Sequence, residues 1–250
     1  MTALFAFKLF RIVALLGFSL SVTSYAQIPN FAFMRKFGGE FRGTASAVSQ
    51  AANTTITITK PTGLLAQDVL YAFIWTNDYD RTASVPAPSG WTSLGSTGYQ
   101  SNQYMLWVFR RVADGSEGAN FSFPFSESVN YSSGSVVAYS GLNTSGPEDV
   151  SPVFSSGTVS TSTVTVTGLT TINHHSRVIL CMIETSRAST LGAPSGFTQK
   201  VATVDATNAQ SIYVFDGFFL SPQATGNLST TGWNTSSNRY LGAVISLKTR

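Results

Sequence analysis

The chain has 250 residues, enough for one large β domain or two small ones. Only 11% are charged, about a quarter are Ser or Thr and 12% are aromatic, a balance that supplies a core and excludes disorder over most of the length. The net charge of +3 falls to +1 once Lys8 and Arg11 are set aside, and no run of Lys or Arg follows, so nucleic acid is not an expected partner; one cysteine, Cys181, excludes an internal disulfide and a cysteine-based zinc cage.

Residues 1–26 have the layout of a secretory signal. MTALFAFKLFR is a basic opening, IVALLGFSLSV is apolar, and Ser24-Tyr25-Ala26 is a small-x-small site with the cut expected before Gln27. An uncleaved anchor is the alternative, because Leu4 to Val22 nearly reaches bilayer-spanning length. No later stretch is apolar enough to span a membrane, so the mature chain is expected to be secreted or on an extracellular surface. Residues 27–43 form an arm in which Phe31, Phe33, Phe37 and Phe41 come with Arg35, Lys36 and Arg42. The arm either lies on its own domain as an edge strand or pairs with a neighbouring subunit, which would give self-assembly.

From residue 44 onward the chain repeats itself. TTITIT (Thr54 to Thr59) returns as STVTVT (Ser162 to Thr167), both alternating Thr with β-branched apolar residues as strands with one buried face do. VLYAFI (Val69 to Ile74) matches VILCMI (Val178 to Ile183), continuous apolar runs that predict strands covered on both sides. APSGWT (Ala87 to Thr92) returns as APSGFT (Ala193 to Thr198), a turn where Pro fixes φ, Gly can take a positive φ, and the following Trp91 or Phe197 plugs the gap between two sheets, with an exposed ring stacked on a sugar as the alternative. LWVF (Leu106 to Phe109) matches IYVF (Ile212 to Phe215), and GSVVAYS (Gly134 to Ser140) matches GAVISLK (Gly242 to Lys248). Five segments in one order define an internal duplication, with units 44–142 and 155–250 joined by NTSGPEDVSP. No capped helical period appears after residue 43. The fold class is all-β, a two-sheet jelly-roll-like β-sandwich built from the duplication; two tandem small sandwiches are the alternative, which the short junction disfavours.

Chemistry-bearing residues are sparse. His174 and His175 precede an apolar strand and read as a surface turn, and neither a G-x-S-x-G elbow nor an H-E-x-x-H pair is present. Cys181 sits inside an apolar strand and reads as an inert thiol. Asp78 and Asp80 form an acidic loop and are weak candidates for a cation, with a solvated loop as the competing reading; no cofactor is expected. Asp114 to Glu117 reads as a hairpin turn, and Glu148 and Asp149 sit in the connector. The loops NDYDRTAS, GYQSNQY and GWNTSSNRY mix aromatic with amide and hydroxyl groups, a composition that suits neutral saccharides or protein surfaces. They make Tyr79, Tyr99, Tyr104, Trp233 and Tyr240 the candidate ligand-binding residues.

The order TITIT, DVLYAFI, PSGWTSL, LWVFRRVADGSE, FSF and VVAYSGL resembles a β-sandwich domain found in phage tail-fibre and other virion proteins and in secreted bacterial surface proteins. The marks from Pro88 to Trp91, Arg111 to Glu117 and Tyr139 to Leu142 are present, whereas Gln67 replaces the Gly usual before Asp68. The resemblance covers most of Gly43 to Arg250 and implies a sandwich without a shared catalytic motif. The expectation is a non-enzymatic exported protein for surface recognition or adhesion through glycans or other cell-surface groups. The alternative is a structural subunit of a virion, tail fibre or extracellular filament assembled through the arm.

Overall fold

The computed structural model describes residues 39–185, 190–205, 210–235 and 239–250, which all belong to one compact unit, Gly38–Arg250. Residues 1–26, read above as a secretory signal, and Phe31, Phe33 and Phe37 lie outside the described residues. No helix occurs among those described. The first half contributes β1 (Glu40–Ser49), β2 (Asn53–Thr59), β3 (Val69–Asn77), β4 (Thr92–Tyr99), β5 (Tyr104–Val112), β6 (Asn120–Val129) and β7 (Tyr131–Ser140). The second contributes β8 (Val153–Thr158), β9 (Thr163–Val166), β10 (Ser176–Glu184), β11 (Phe197–Asp205), β12 (Gln210–Phe219), β13 (Leu228–Thr231) and β14 (Arg239–Leu247).

Each half builds one five-stranded antiparallel sheet and one two-stranded ribbon. The first sheet runs β1-β7-β3-β5-β4 and its ribbon is β2-β6; the second runs β8-β14-β10-β12-β11 and its ribbon is β9-β13. Replacing each strand by its counterpart seven places later converts one order into the other. The protein is an all-β two-sheet sandwich of repeated halves, as the matched segments require. The sheets meet face to face with β1 over β11, β7 over β12, β5 over β14 and β4 over β8. That stacking has twofold symmetry about an axis running along the strands between β3 and β10.

Three apolar layers result. The central one joins Tyr71, Phe73, Trp75, Leu106 and Val137 of the first half to Ile179, Cys181, Ile183, Val214 and Ile245 of the second. The outer two lie between each sheet and its ribbon, around Ile58, Phe109 and Phe123 on one side and Val166, Leu180 and Phe215 on the other. Sequence pattern explains the difference between strands. In β2 and β9 only alternate residues are buried, Ile56 and Ile58 or Val164 and Val166, because a ribbon has one covered face. In β3 every residue is buried, because this strand is covered on both faces. Burying each large side chain there contributes roughly 1.5–3 kcal/mol.

The ladders correct one detail of the repeat. Matching VLYAFI to VILCMI offsets β3 and β10 by 109 residues, yet Tyr71 pairs with Arg110 and Val137 as Ile179 pairs with Asp216 and Ile245. The structural offset is therefore 108, one residue less. On a strand a one-residue slip exchanges the two faces. Tyr71, Phe73 and Trp75 thus correspond to Ile179, Cys181 and Ile183, all in the central layer.

The duplicated turn is the same in both halves. Gly90 and Gly196 each have φ +79°, and the amides of Trp91 and Phe197 donate to the carbonyls of Pro88 and Pro194 at 2.9 and 3.0 Å. Trp91 then packs edge-on against Phe121 in its outer layer, and Phe197 packs edge-on against Phe219 in the other. A bulge follows each turn, between Ser93 and Gly95 and between Gln199 and Val201. At Gly95 (φ +129°) the bulge brings the backbone so close to Phe154 that a Cβ would lie 2.8 Å from the ring.

Candidate functional site

Where β3 ends, the loop NDYDRTAS folds around the buried carboxylate of Asp78. Its Oδ1 accepts the amide of Asp80 at 3.1 Å, and its Oδ2 accepts those of Thr82 and Ala83 at 2.8 and 2.9 Å. This corrects the cation reading of Asp78 and Asp80. Backbone donors surround the Asp78 carboxylate, while Asp80 is exposed, and no group of three metal-ligating side chains occurs among the described residues. Asp78 instead fixes the loop that carries Tyr79. The Tyr79 amide donates to Asn130 Oδ1 at 2.8 Å, and its ring stands edge-on to Tyr131 at 6.4 Å with 55% of the residue exposed. Partial burial, then the phenols of Tyr131 and Tyr104, push the Tyr79 hydroxyl above its ordinary range.

The β4–β5 hairpin GYQSNQY meets this loop at the same end of the sandwich. Tyr99 and Tyr104 face each other across its last pair, and Gln100, Ser101 and Asn102 take φ values of +52°, +53° and +71° to close it. Tyr104 stacks on Trp75 at 6.4 Å. From the other half, the Arg239 guanidinium lies over Tyr99 and Tyr104 at 5.9 and 5.4 Å, a cation–π arrangement. Tyr79, Tyr99 and Tyr104 are thus gathered with Trp75 and Tyr131 into one aromatic end.

The other two candidates are elsewhere. Trp233 is only 3% exposed, inside the outer layer of the second half, and its indole N–H donates to Thr230 Oγ1 at 2.8 Å. Its role is packing, which corrects its assignment to an external ligand. Tyr240 stands edge-on to Trp233 at 6.2 Å, on the opposite face of β14 from Arg239, because adjacent strand residues point to opposite sides. Phe41, the one arm phenylalanine among the described residues, belongs to the chain's own first sheet. It lies in edge strand β1, packs edge-on to Tyr139 at 5.7 Å and has the Lys200 ammonium 5.2 Å from its ring centroid, so it joins the two halves of one chain rather than two subunits.

Two polar clusters at the other end of the central layer were not foreseen. The Tyr71 hydroxyl donates to Glu148 Oε1 at 3.0 Å, and Arg110 pairs with Glu148 Oε2 at 2.7 Å. The Tyr139 hydroxyl donates to Asp216 Oδ2 at 3.2 Å, with Arg177 and Lys200 at 2.9 and 3.4 Å from the same carboxylate. Burial first, then the adjacent carboxylate charge, raise both phenols well above their ordinary range. The available signal was a single tyrosine within each apolar run. The Asp216 cluster ties the two halves together, its carboxylate satisfied by two cations and a phenol, while Glu148 ties the connector to the first half through one cation and a phenol.

Cys181 lies in the central layer, where burial pushes its thiol well up and keeps it inert. His174 and His175 occupy the turn before β10, with His175 at φ +58° and its ring 6.3 Å from Phe218. No protein-family model, curated protein or solved structure matches the chain.

Proposed function

We propose that the protein is an exported, non-enzymatic recognition module that binds neutral glycans or similar cell-surface groups through its aromatic end. One observation carries this reading: Tyr79 is 55% exposed on a loop fixed by three backbone hydrogen bonds to Asp78, with Tyr131 beside it. A rigid phenol presents contact area at low entropic cost, and its hydroxyl and the neighbouring amide side chains provide orientation. Tyr79→Ala is expected to weaken binding on a glycan array by about tenfold, with the fold intact by circular dichroism. A wild-type array without signal, or an undiminished signal from the variant, would overturn the assignment. Export is checked by sequencing the N-terminus of the protein recovered outside the cytoplasm, which should begin at Gln27.

The open edges of the large sheets favour a second reading. β1 and β4 end one sheet and β8 and β11 the other, and an open edge is a template for an added strand. Together with the resemblance to tail-fibre domains, this supports a structural subunit of a virion appendage or filament, assembled through residues 28–37. Deleting those residues should leave a monomer on a sizing column if assembly depends on them; an unchanged oligomer size removes this reading.

A further inference from the structure

Trp75 and Ser133 are directly paired across β3 and β7, and both side chains face the central layer. Each residue is 1% exposed, and neither the Trp75 indole N–H nor the Ser133 hydroxyl has a hydrogen-bond partner among the described residues. A buried polar group without a partner is costly, and here two occupy facing positions. The second half avoids this arrangement. By the ladder registers Ile183 and Leu241 stand where Trp75 and Ser133 stand, as a fully apolar pair. The polar pair therefore belongs to one half alone, the half whose rim carries Tyr79, Tyr131 and Tyr104. Tyr104 stacks on Trp75 itself, which links the rim to the buried pair.

We infer that Trp75 and Ser133 form the inner, specificity-determining part of the aromatic site and hydrogen-bond a hydroxyl of a neutral sugar or polyol seated against the tyrosines. The indole N–H can only donate, whereas the serine hydroxyl can donate or accept, so a ligand hydroxyl satisfies both: its oxygen accepts from Trp75 and its proton goes to Ser133. Discrimination follows, because a ligand lacking that hydroxyl leaves both groups unpaired. This inference deepens the glycan reading and rests on it.

The test uses the mature chain, isotope-labelled, titrated separately with the methyl glycosides of glucose, galactose, mannose and N-acetylglucosamine. One of these probes should move the Trp75 indole N–H resonance, assigned from Trp75→Phe. Ser133→Ala should weaken that binding by about tenfold while leaving the melting temperature unchanged or higher, since it removes an unpaired group. If Trp75→Phe does not fold, Ser133→Ala and the unassigned indole resonances still decide. A lowered melting temperature with unchanged binding means that the pair is structural, and overturns the inference. So does a positive glycan array with no indole resonance moved by any probe, which leaves the surface reading through Tyr79 standing. An array without signal, with no indole resonance moved by any probe, overturns the glycan reading and this inference with it.

Discussion

In the first half the turn leading into β3 is closed by Asp68, whose Oδ2 accepts the amide of Leu65 at 2.9 Å and pairs with Arg42 at 3.1 Å. In the second half the same turn leads into β10, and the residues before the strand, Gln67 and His175, share a left-handed φ of +69° and +58°. The position of Asp68 is taken there by Ser176. The carboxylate comes instead from Asp149 in the connector, which accepts the amide of Ile172 at 2.7 Å, the Ser176 hydroxyl at 3.3 Å and the side-chain amide of Asn173. The turn needs an acceptor for its inward amides, and the chain position that supplies it is free to change. Glu148, one residue earlier, serves the first half through Tyr71 and Arg110. Two neighbouring carboxylates thus hold opposite halves of the molecule.

The largest effect expected from the contrast between halves is alkaline. Tyr71 and Tyr139 belong to the first half, where the second has Ile179 and Leu247, and Tyr213 lies in the outer layer of the second. Burial raises the folded values of all three phenols, that of Tyr213 to about 12. The unfolded chain ionises near the ordinary value of 10.0 while the folded phenols stay protonated, so their stabilisation is complete below pH 10 and is lost as pH rises through the folded values. Unfolding free energy should fall by about 1.4 kcal/mol per pH unit for each tyrosine above pH 10. Denaturant titrations at successive pH values read this slope, and Tyr71→Phe with Tyr139→Phe should remove most of it. An equal slope in that double variant would mean that the halves do not differ as described.

The next effect concerns the relocated acceptor. Asp149→Ala should cost about 3 kcal/mol by removing the buried acceptor shared by the Ile172 amide, the Asn173 side chain and the Ser176 hydroxyl, and Asp68→Ala about 2 kcal/mol, since Arg42 is partly in water. Adding Ser176→Asp to Asp149→Ala should return about 1 kcal/mol, because it restores the first-half arrangement. If this second change lowers the urea midpoint further, the turns are not interchangeable. The smallest effect is at the twinned glycines. Gly90→Ala and Gly196→Ala should each cost about 1 kcal/mol through the positive φ. The first should cost slightly more, because a Cβ at Gly90 would meet Arg111 Nη1 at 2.7 Å while open space surrounds Gly196.

The duplication, the strands and the buried faces of β2 and β9 were legible because alternation and local turn chemistry are written in adjacent residues. The face of β10 was not, since a run apolar at every position carries no period from which to choose between faces. VILCMI could be matched one residue out without any conflict in composition. The same limit governs the site. GYQSNQY and GWNTSSNRY have similar composition, yet Tyr99 and Tyr104 gather at the aromatic end while Trp233 turns inward to Thr230. Tyr131 and Arg239 come to that end only through strand order, which in the case of Arg239 joins residues more than a hundred positions apart. Trp75 is hidden in a run that reads simply as core.

Arg110 and Asp216 occupy corresponding places in the two sheets, since the first pairs with Tyr71 and the second with Ile179. A homodimer of identical subunits could never hold opposite charges at those places, because an isologous contact repeats each side chain on both partners. A single half, its inner face of Val69, Phe73 and Val137 uncovered, would have to associate with a copy of itself, and its folding would depend on concentration. Fusion into one polypeptide removes that dependence and also releases the constraint of identity, leaving one lobe free to specialise while the other keeps its apolar fill.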